Sequence, residues 1–497
     1  MAVRRSARDL GSVLVCLVTL GAYLLLADAM ARRTLYALGS YAAVLAAYLG
    51  WSYVVVEYRP AYRRVFSPTA LGVALAVCTV AVVAFGWMPR SPVAFVQLAA
   101  IALVFTYWFV MLAALYHASS ARSEFDSASE YPAITVLVPA YNEEGYVGRT
   151  VASLLEADYP DGKKRIVVVD DGSIDRTYEE ARQYESETVT VVRKKNGGKY
   201  AALNYGLLFA DTELVVTVDA DSVVETDALR KIVAPFEADS NVGAVASNVK
   251  LFNRDSFVTK CQTLEYVFGI NIYRRLFDHV GAVSIVPGCL GAYRRSALDD
   301  VLGYDPHTLT EDYDTTMKLL KQGYEVRFSE AVVYTEGPDT WRDLYDQRLR
   351  WYRGNAMTVK KHLFDGVNPE NRYLRRIHLP LALVTMGFTP VASWLILGVV
   401  AYLALTNGLL AVLWVFALFV AIVVLVNLLA IRIEGESPRY VLYAPFFVVG
   451  YKHFHDLVMI KSVLDVLRDR ELAWTSATRA DQRETASTEL ATESQSD

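Results

Sequence analysis

The feature that most limits what this chain can fold into is a polar stretch, residues 131–373, set between two strongly apolar blocks. The chain of 497 residues is 54% hydrophobic with positive mean hydropathy, above the 45–50% apolar content usual for a soluble protein. The excess is concentrated in runs near the 20 or so residues a membrane crossing needs. These are residues 10–27, 35–56, 69–88 and 93–116, then 379–405 and 409–431, the last two parted by Thr406-Asn407-Gly408. The pattern predicts a four-helix N-terminal membrane region (1–118), a soluble α/β domain (131–339), and amphipathic interface helices (340–377). A C-terminal membrane region (378–470) and a mostly disordered tail (471–497) complete it. The tail from Ala480 onward is acidic and rich in Ser and Thr, a composition that does not support a packed core.

Lys and Arg mark cytoplasmic loops. Arg4, Arg5 and Arg8, then Arg59, Arg63 and Arg64, then Arg372, Arg375 and Arg376 all place the polar stretch inside; Arg32 and Arg33 run against the pattern. The expectation is a multi-pass plasma-membrane protein with a cytoplasmic catalytic domain and cytoplasmic tail. The N-terminal run lacks a small-residue cleavage site and reads as a retained anchor. Segment 440–467 is open to two readings. Its centre holds Lys452, His453, His455 and Asp456, costly at mid-membrane unless paired or lining a cavity. It is either one crossing or a re-entrant hairpin or interfacial helix. A net charge of −5 leaves no nucleic-acid footprint. The 4 cysteines form no C-x-x-C pair, so neither a disulfide framework nor a zinc site is expected.

Within the polar stretch, short apolar runs at 134–140, 166–169, 189–192 and 214–218 alternate with helical segments, opening at Asn142-Glu143-Glu144, Thr177 and Lys199. That alternation implies βαβ units and a largely parallel sheet, whose ligands sit beyond the carboxyl ends of the strands. The polar motifs fall there: Tyr141-Asn142-Glu143, Asp170-Asp171-Gly172-Ser173 and Asp219-Ala220-Asp221.

Asp219 and Asp221 are hard oxygen ligands suited to Mg²⁺ or Mn²⁺ bridging to phosphates; the bland alternative is capping of the next helix. Asp170-Asp171-Gly172-Ser173 is either an ordinary turn or a carboxylate poised for a nucleobase or ribose. Asn196-Gly197-Gly198-Lys199 is a helix-start turn, or a close-approach loop whose Lys199 reaches a phosphate. Glu311 and Asp312 open a helix, where acids are favoured by the macrodipole alone; the sharper reading is a general base. Pro287-Gly288-Cys289-Leu290-Gly291-Ala292 offers a small-residue surface for an acceptor. Gln347, Arg350 and Trp351 share one face of the helical stretch 341–363. Trp351 could stack on a sugar and Arg350 bind a diphosphate, or the helix lies on the membrane surface.

In order and spacing, these motifs resemble the family-2 inverting glycosyltransferases, specifically the membrane-embedded processive synthases of cellulose, chitin, hyaluronan and poly-N-acetylglucosamine. The resemblance spans residues 134–353 and implies a GT-A fold, an α/β nucleotide-sugar-binding domain inserted in an all-α multi-span membrane domain. By the resemblance, Tyr141, Glu143 and Asp170 contact the uridine of a UDP-sugar. Asp219 and Asp221 belong to the metal and diphosphate site, with Lys199 beside the donor. Asp312, with Glu311, supplies the general base. Gln347, Arg350 and Trp351 match the Q-x-x-R-W signature of processive enzymes, and Trp474 to Arg479 resembles a segment that closes over the nucleotide.

The expected function is therefore a metal-dependent (Mg²⁺ or Mn²⁺) polymerase. It would extend a growing polysaccharide from a UDP-sugar and extrude it through its own helices into or across the lipid bilayer. A non-processive transferase acting on a polyprenyl-phosphate lipid is the alternative within the class. A transporter or scaffold with a degenerate nucleotide domain is the alternative outside it, and the intact acid set argues against it. No motif encodes the sugar, the linkage or an accessory subunit.

Overall fold

The computed structural model describes residues 110, 113–114, 117–118, 131–364 and 378–468. The apolar runs 10–27, 35–56, 69–88 and nearly all of 93–116 lie outside the described residues. So do Arg372, Arg375 and Arg376, and the tail with Trp474 and Arg479.

An eight-stranded sheet organises the domain, in the order β3-β2-β1-β4-β7-β6-β8-β5. The strands are β1 (Ile134–Ala140), β2 (Lys164–Asp170), β3 (Val189–Arg193), β4 (Leu214–Thr217), β5 (Val223–Val224), β6 (Val242–Leu251), β7 (Gly291–Arg294) and β8 (Glu325–Thr335). The first four pair in parallel. They are runs of Val, Ile and Leu because both faces are covered, so neither alternate set of side chains meets water. Ile134, Val136 and Val138 enter one core, with helices α1 (Val147–Glu156) and α4 (Ala228–Ala238). Leu137, Val167 and Val169 enter the other, with α3 (Lys199–Leu207), α7 (Arg295–Asp300) and α8 (Glu311–Gln322). The short α2 (Thr177–Arg182) follows β2.

The parallel expectation holds for β3-β2-β1-β4 and again for β6 beside β8. Between them β7 runs antiparallel to both β4 and β6. Its four residues are too short to carry a periodic signal. Because β7 is antiparallel, with Gly291 opposite Thr217, the loop before it emerges at the same edge as the carboxyl end of β4. Reversal of one strand thus adds residues 287–290 to the crevice.

One boundary differs from the sequence reading. Residues 141–146 are a loop, and α1 begins only at Val147. The loop amides are captured by the loop after β2 and by α2 that follows it. Asn142 N donates to Ser173 Oγ at 3.0 Å, Glu143 N to Thr177 Oγ1 at 2.7 Å and Gly145 N to Glu180 Oε2 at 2.7 Å. Asn142 takes a left-handed backbone, φ 55°, which Asn tolerates better than most residues.

Downstream, α5 (Phe257–Glu265) runs through a π-helical segment (Tyr266–Ile272) into α6 (Tyr273–Asp278), and α9 spans Trp341–Phe364. Then come α10 (Leu379–Leu383), a second π segment (Val384–Phe388), α11 (Thr389–Asn407) and α12 (Leu409–Glu434). Among the described residues, the helical stretch Leu381–Thr406 is long and apolar enough to cross a membrane. Segment 440–467 is not one helix. A 3₁₀ helix (Pro438–Phe447) ends before Gly450, at φ 109°, and α13 (Tyr451–Leu467) starts there. A positive φ at Gly450 is accessible because glycine has no Cβ, and the break divides the segment in two rather than letting it run as one straight crossing.

Candidate active site

The loops after β1 and β2 form one knitted wall. Asp170 is fully buried; Ser173 N donates to its Oδ1 at 3.2 Å, and Arg193 Nε stands 2.9 Å from Oδ2 without hydrogen-bond alignment. Asp171, read above as part of a turn, holds the glycine loop in place. Its carboxylate accepts from Lys194 Nζ at 2.5 Å and from Gly198 N at 2.7 Å. Tyr141 stays exposed at the mouth.

Lys199, at the start of α3, joins two acidic motifs that lie far apart in sequence. Its Nζ is 2.5 Å from Asp219 Oδ1 and 3.3 Å from Glu311 Oε1. Gly288, from the loop that β7 carries in, lies against this pair. A Cβ there would stand 2.4 Å from Lys199 Nζ and 3.2 Å from each Asp219 oxygen, so the close approach requires glycine. Cys289 beside it is a buried free thiol, and burial pushes it up to about 12, keeping it protonated.

Burial pushes the Asp219 carboxyl up; Lys199 pulls it back and Asp221 adds to the rise. Two carboxylates repelling one another in a crevice are a fitting pair of ligands for a divalent cation. Among the described residues no group of three or more His, Cys, Asp or Glu is set to hold a metal. Asp219 and Asp221 are the residues that could hold such an ion, as hard oxygen ligands suited to Mg²⁺ or Mn²⁺. Asp221 itself accepts from Ser222 Oγ at 3.2 Å, and the backbone between the two acids is pinned where Thr150 Oγ1 donates to Ala220 O at 2.8 Å.

Asp312 sits at the start of α8, its Oδ1 accepting from Tyr313 N at 2.8 Å. Burial and the adjacent Glu311 charge push it up to about 6. The structure thus brings Lys199, Asp219, Glu311 and Asp312 together, while Asp170 is sealed in the wall behind.

The long helix α9 reaches this cluster from the other side. Gly354 packs directly on the residue before α8: a Cβ there would lie 2.6 Å from Thr310 Oγ1 and 2.9 Å from Thr310 N. Further along, Lys361 pairs with Asp305 at 2.9 Å and Asp314 at 3.0 Å, and His362 Nε2 is 2.9 Å from Asp314. Gln347, Arg350 and Trp351 are half-buried on this helix. What orients two of them is Arg348, which the sequence reading passed over. Fully buried, it hydrogen-bonds Gln347 Oε1 and lies over the Trp351 ring, 4.1 Å from its centroid. It pairs with Glu265 at 3.0 Å, and Tyr451 of α13 donates to the same carboxylate at 2.5 Å. Burial alone would raise Glu265, but Arg348, together with His455 and the Tyr451 hydrogen bond, outweighs it and holds the carboxyl down at about 2. Arg in the middle of a Q-R-L-R-W run carried no signal of its own, and Glu265 is 83 positions away.

A largely parallel sheet with acidic loops at its strand ends is an α/β architecture that binds ligands in the crevice beyond those ends. Residues 132–354 match the family described as "Glycosyltransferase like family 2". The chain's curated relatives include the poly-β-1,6-N-acetyl-D-glucosamine synthase of Staphylococcus aureus (strain MSSA476), 30% identical over 266 residues, 52% of this chain and 64% of that protein. The enzyme of the same name from Staphylococcus epidermidis is 29% identical over 286 residues, 56% of this chain and 66% of that one. The chain thus spans somewhat less than two thirds of these relatives. A mannosyltransferase from Pyrobaculum calidifontis, PcManGT, solved with GDP-Man and Mn²⁺, superimposes over 76% of this chain and 100% of its own with TM-score 0.53 at 24% identity, which shows a shared fold.

Proposed function

We propose that the protein is a polysaccharide synthase that transfers an N-acetylhexosamine from a UDP-sugar to the end of a growing chain, with inversion. The observation that carries this reading is the Lys199 bridge between Asp219 and Glu311, which sets the acids of the donor side against Asp312 in one crevice. The relatives named for poly-N-acetylglucosamine synthesis supply the substrate class.

In the proposed reaction, Asp312 accepts the proton of the acceptor hydroxyl as that oxygen bonds to the anomeric carbon. The bond from that carbon to the diphosphate breaks, and UDP leaves with its electron pair. A carboxyl raised to about 6 is ionised at neutral pH yet a better base than an ordinary aspartate. Asp219 and Asp221 would hold Mg²⁺ or Mn²⁺, which supplies charge compensation for the leaving diphosphate. Lys199 orients the diphosphate oxygens, and Tyr141, Glu143 and Asp170 shape the nucleoside end. Gln347, Arg350 and Trp351 carry the acceptor chain. In this reading the protein is a multi-pass plasma-membrane synthase that exports its product, which the helical stretch Leu381–Thr406, apolar and long enough to cross a bilayer, supports.

The test is UDP release by membranes bearing the full chain, supplied in turn with single UDP-sugars, followed by sizing of the product. Turnover with UDP-N-acetylglucosamine and a ladder of long chains is expected. Release of UDP with no nucleotide sugar in the panel defeats the reading, and a single glycolipid product defeats the polymerase half of it.

A further inference from the structure

Two arginines stand side by side at the start of α6 and are treated oppositely by the fold. Arg275 is buried and answered in full: its Nε lies 2.6 Å from Glu434 Oε1 and its Nη2 2.8 Å from Glu330 Oε2. Arg274 is 8% exposed and has no carboxylate partner among the described residues. Its one hydrogen bond there runs from Nη1 to Ser247 O at 2.9 Å. Burying a charge is costly unless it is paired and hydrogen-bonded, and the usual solution is the one found at Arg275.

The place of Arg274 is equally specific. Ser247 Oγ donates to Leu290 O at 2.7 Å, so the guanidinium, bonded to the carbonyl of the same serine, lies where the 287–290 loop passes β6. Asp312 is the carboxylate that acts on it most strongly. The segment before it is π-helical. A π turn re-aims the side chains that follow it and is frequent at functional sites. Here it is held to β6 by Asn271, whose Nδ2 donates to Asn248 Oδ1 at 2.8 Å and to Val249 O at 3.0 Å.

Building on the proposed transferase, we infer that Arg274 is an acceptor-binding residue: its free guanidinium N–H groups take oxygens of the terminal acceptor sugar and hold the hydroxyl against Asp312. A sugar ring presents vicinal oxygens spaced for a planar, forked donor.

The full chain in detergent, given UDP-N-acetylglucosamine and a β-1,6-linked N-acetylglucosamine trimer, tests this. Arg274→Gln should raise the KM for the trimer roughly tenfold or more, while the KM for UDP-N-acetylglucosamine and the acceptor-free release of UDP stay within about twofold. Arg274→Lys should recover part of the loss, and added guanidinium should partly restore Arg274→Ala. A rise in the donor KM with the trimer KM unchanged moves Arg274 to the donor side and overturns the inference. So does a lowered melting temperature with both KM values intact. Wild-type protein that releases no UDP defeats the transferase reading itself; active wild type with an unaffected Arg274→Gln defeats only this one.

Discussion

Asp312 illustrates how much one residue owes to its surroundings. Its carboxyl is pushed up to about 6 by burial and by Glu311, so below that pH it is protonated and cannot accept a proton. Transfer by the full chain should rise with pH through about 6 and then level, and Asp312→Asn should abolish it while UDP still binds. The same shift has a consequence for stability. A carboxyl whose folded value exceeds its unfolded one binds more protons when folded, so stability falls as pH rises from about 4 to about 6. Asp312→Asn removes that burden and should melt no lower than wild type at neutral pH; a clear drop in melting temperature would count against the assignment. Gly288 makes a second residue-scale case. Its backbone needs no left-handed φ, so Gly288→Ala carries no strain, but the new Cβ would displace Lys199 Nζ from Asp219. The flexible lysine can move at little cost in stability. The expected effect is therefore a donor KM raised by about tenfold or more with an unchanged melting temperature, read by titrating UDP-N-acetylglucosamine.

At the scale of elements, α9 is held by partners from three directions: Glu265 of α5, Thr310 before α8, and Tyr451 of α13, whose ring centroid lies 6.0 Å from that of Trp341. Tyr352 adds a fourth tie, its hydroxyl 2.7 Å from His455 Nδ1. Removing one member of a buried ion pair costs about 3–5 kcal/mol because the other is left uncompensated. Glu265→Gln should therefore lower stability substantially, and Glu265→Gln combined with Arg348→Met should recover much of it in a denaturation double-mutant cycle. Additive losses would mean that the pair is not coupled. The face carrying Gln347, Arg350 and Trp351 was legible from i, i+3 and i+4 spacing. The anchor was not, because Arg348 differs from a surface arginine only in what stands opposite it in space.

At the scale of the molecule, the end of the apolar helix α12 is plugged into the soluble domain. Glu434 meets Arg275 and Asn248, and Glu436 meets Arg254 at 2.7 Å. A charged tip buried in the α/β domain, on a helix otherwise almost wholly apolar, joins the two kinds of structure that the chain alternates. With Leu381–Thr406 apolar enough to span a bilayer, the full chain should stay in the pellet when membranes are washed with alkaline carbonate. Release into the wash would remove the membrane half of the proposed function.

The chain's own order of residues determined the parallel half of the sheet, because a strand buried on both faces must read as an unbroken apolar run. It also determined which loops carry the candidate site residues, since Asp219, Asp221, Glu311 and Asp312 follow directly on strand and helix boundaries. What the tertiary structure alone decided is how those loops meet. The reversed β7 brings Gly288 to the crevice, and Lys199 spans two acids, Asp219 and Glu311, that lie far apart in the chain. Glu265 finds Arg348, and a π turn leaves Arg274 unpaired beside its paired neighbour. Each depends on contacts between distant segments, and local periodicity reports only which face of an element is buried, not what lies across from it.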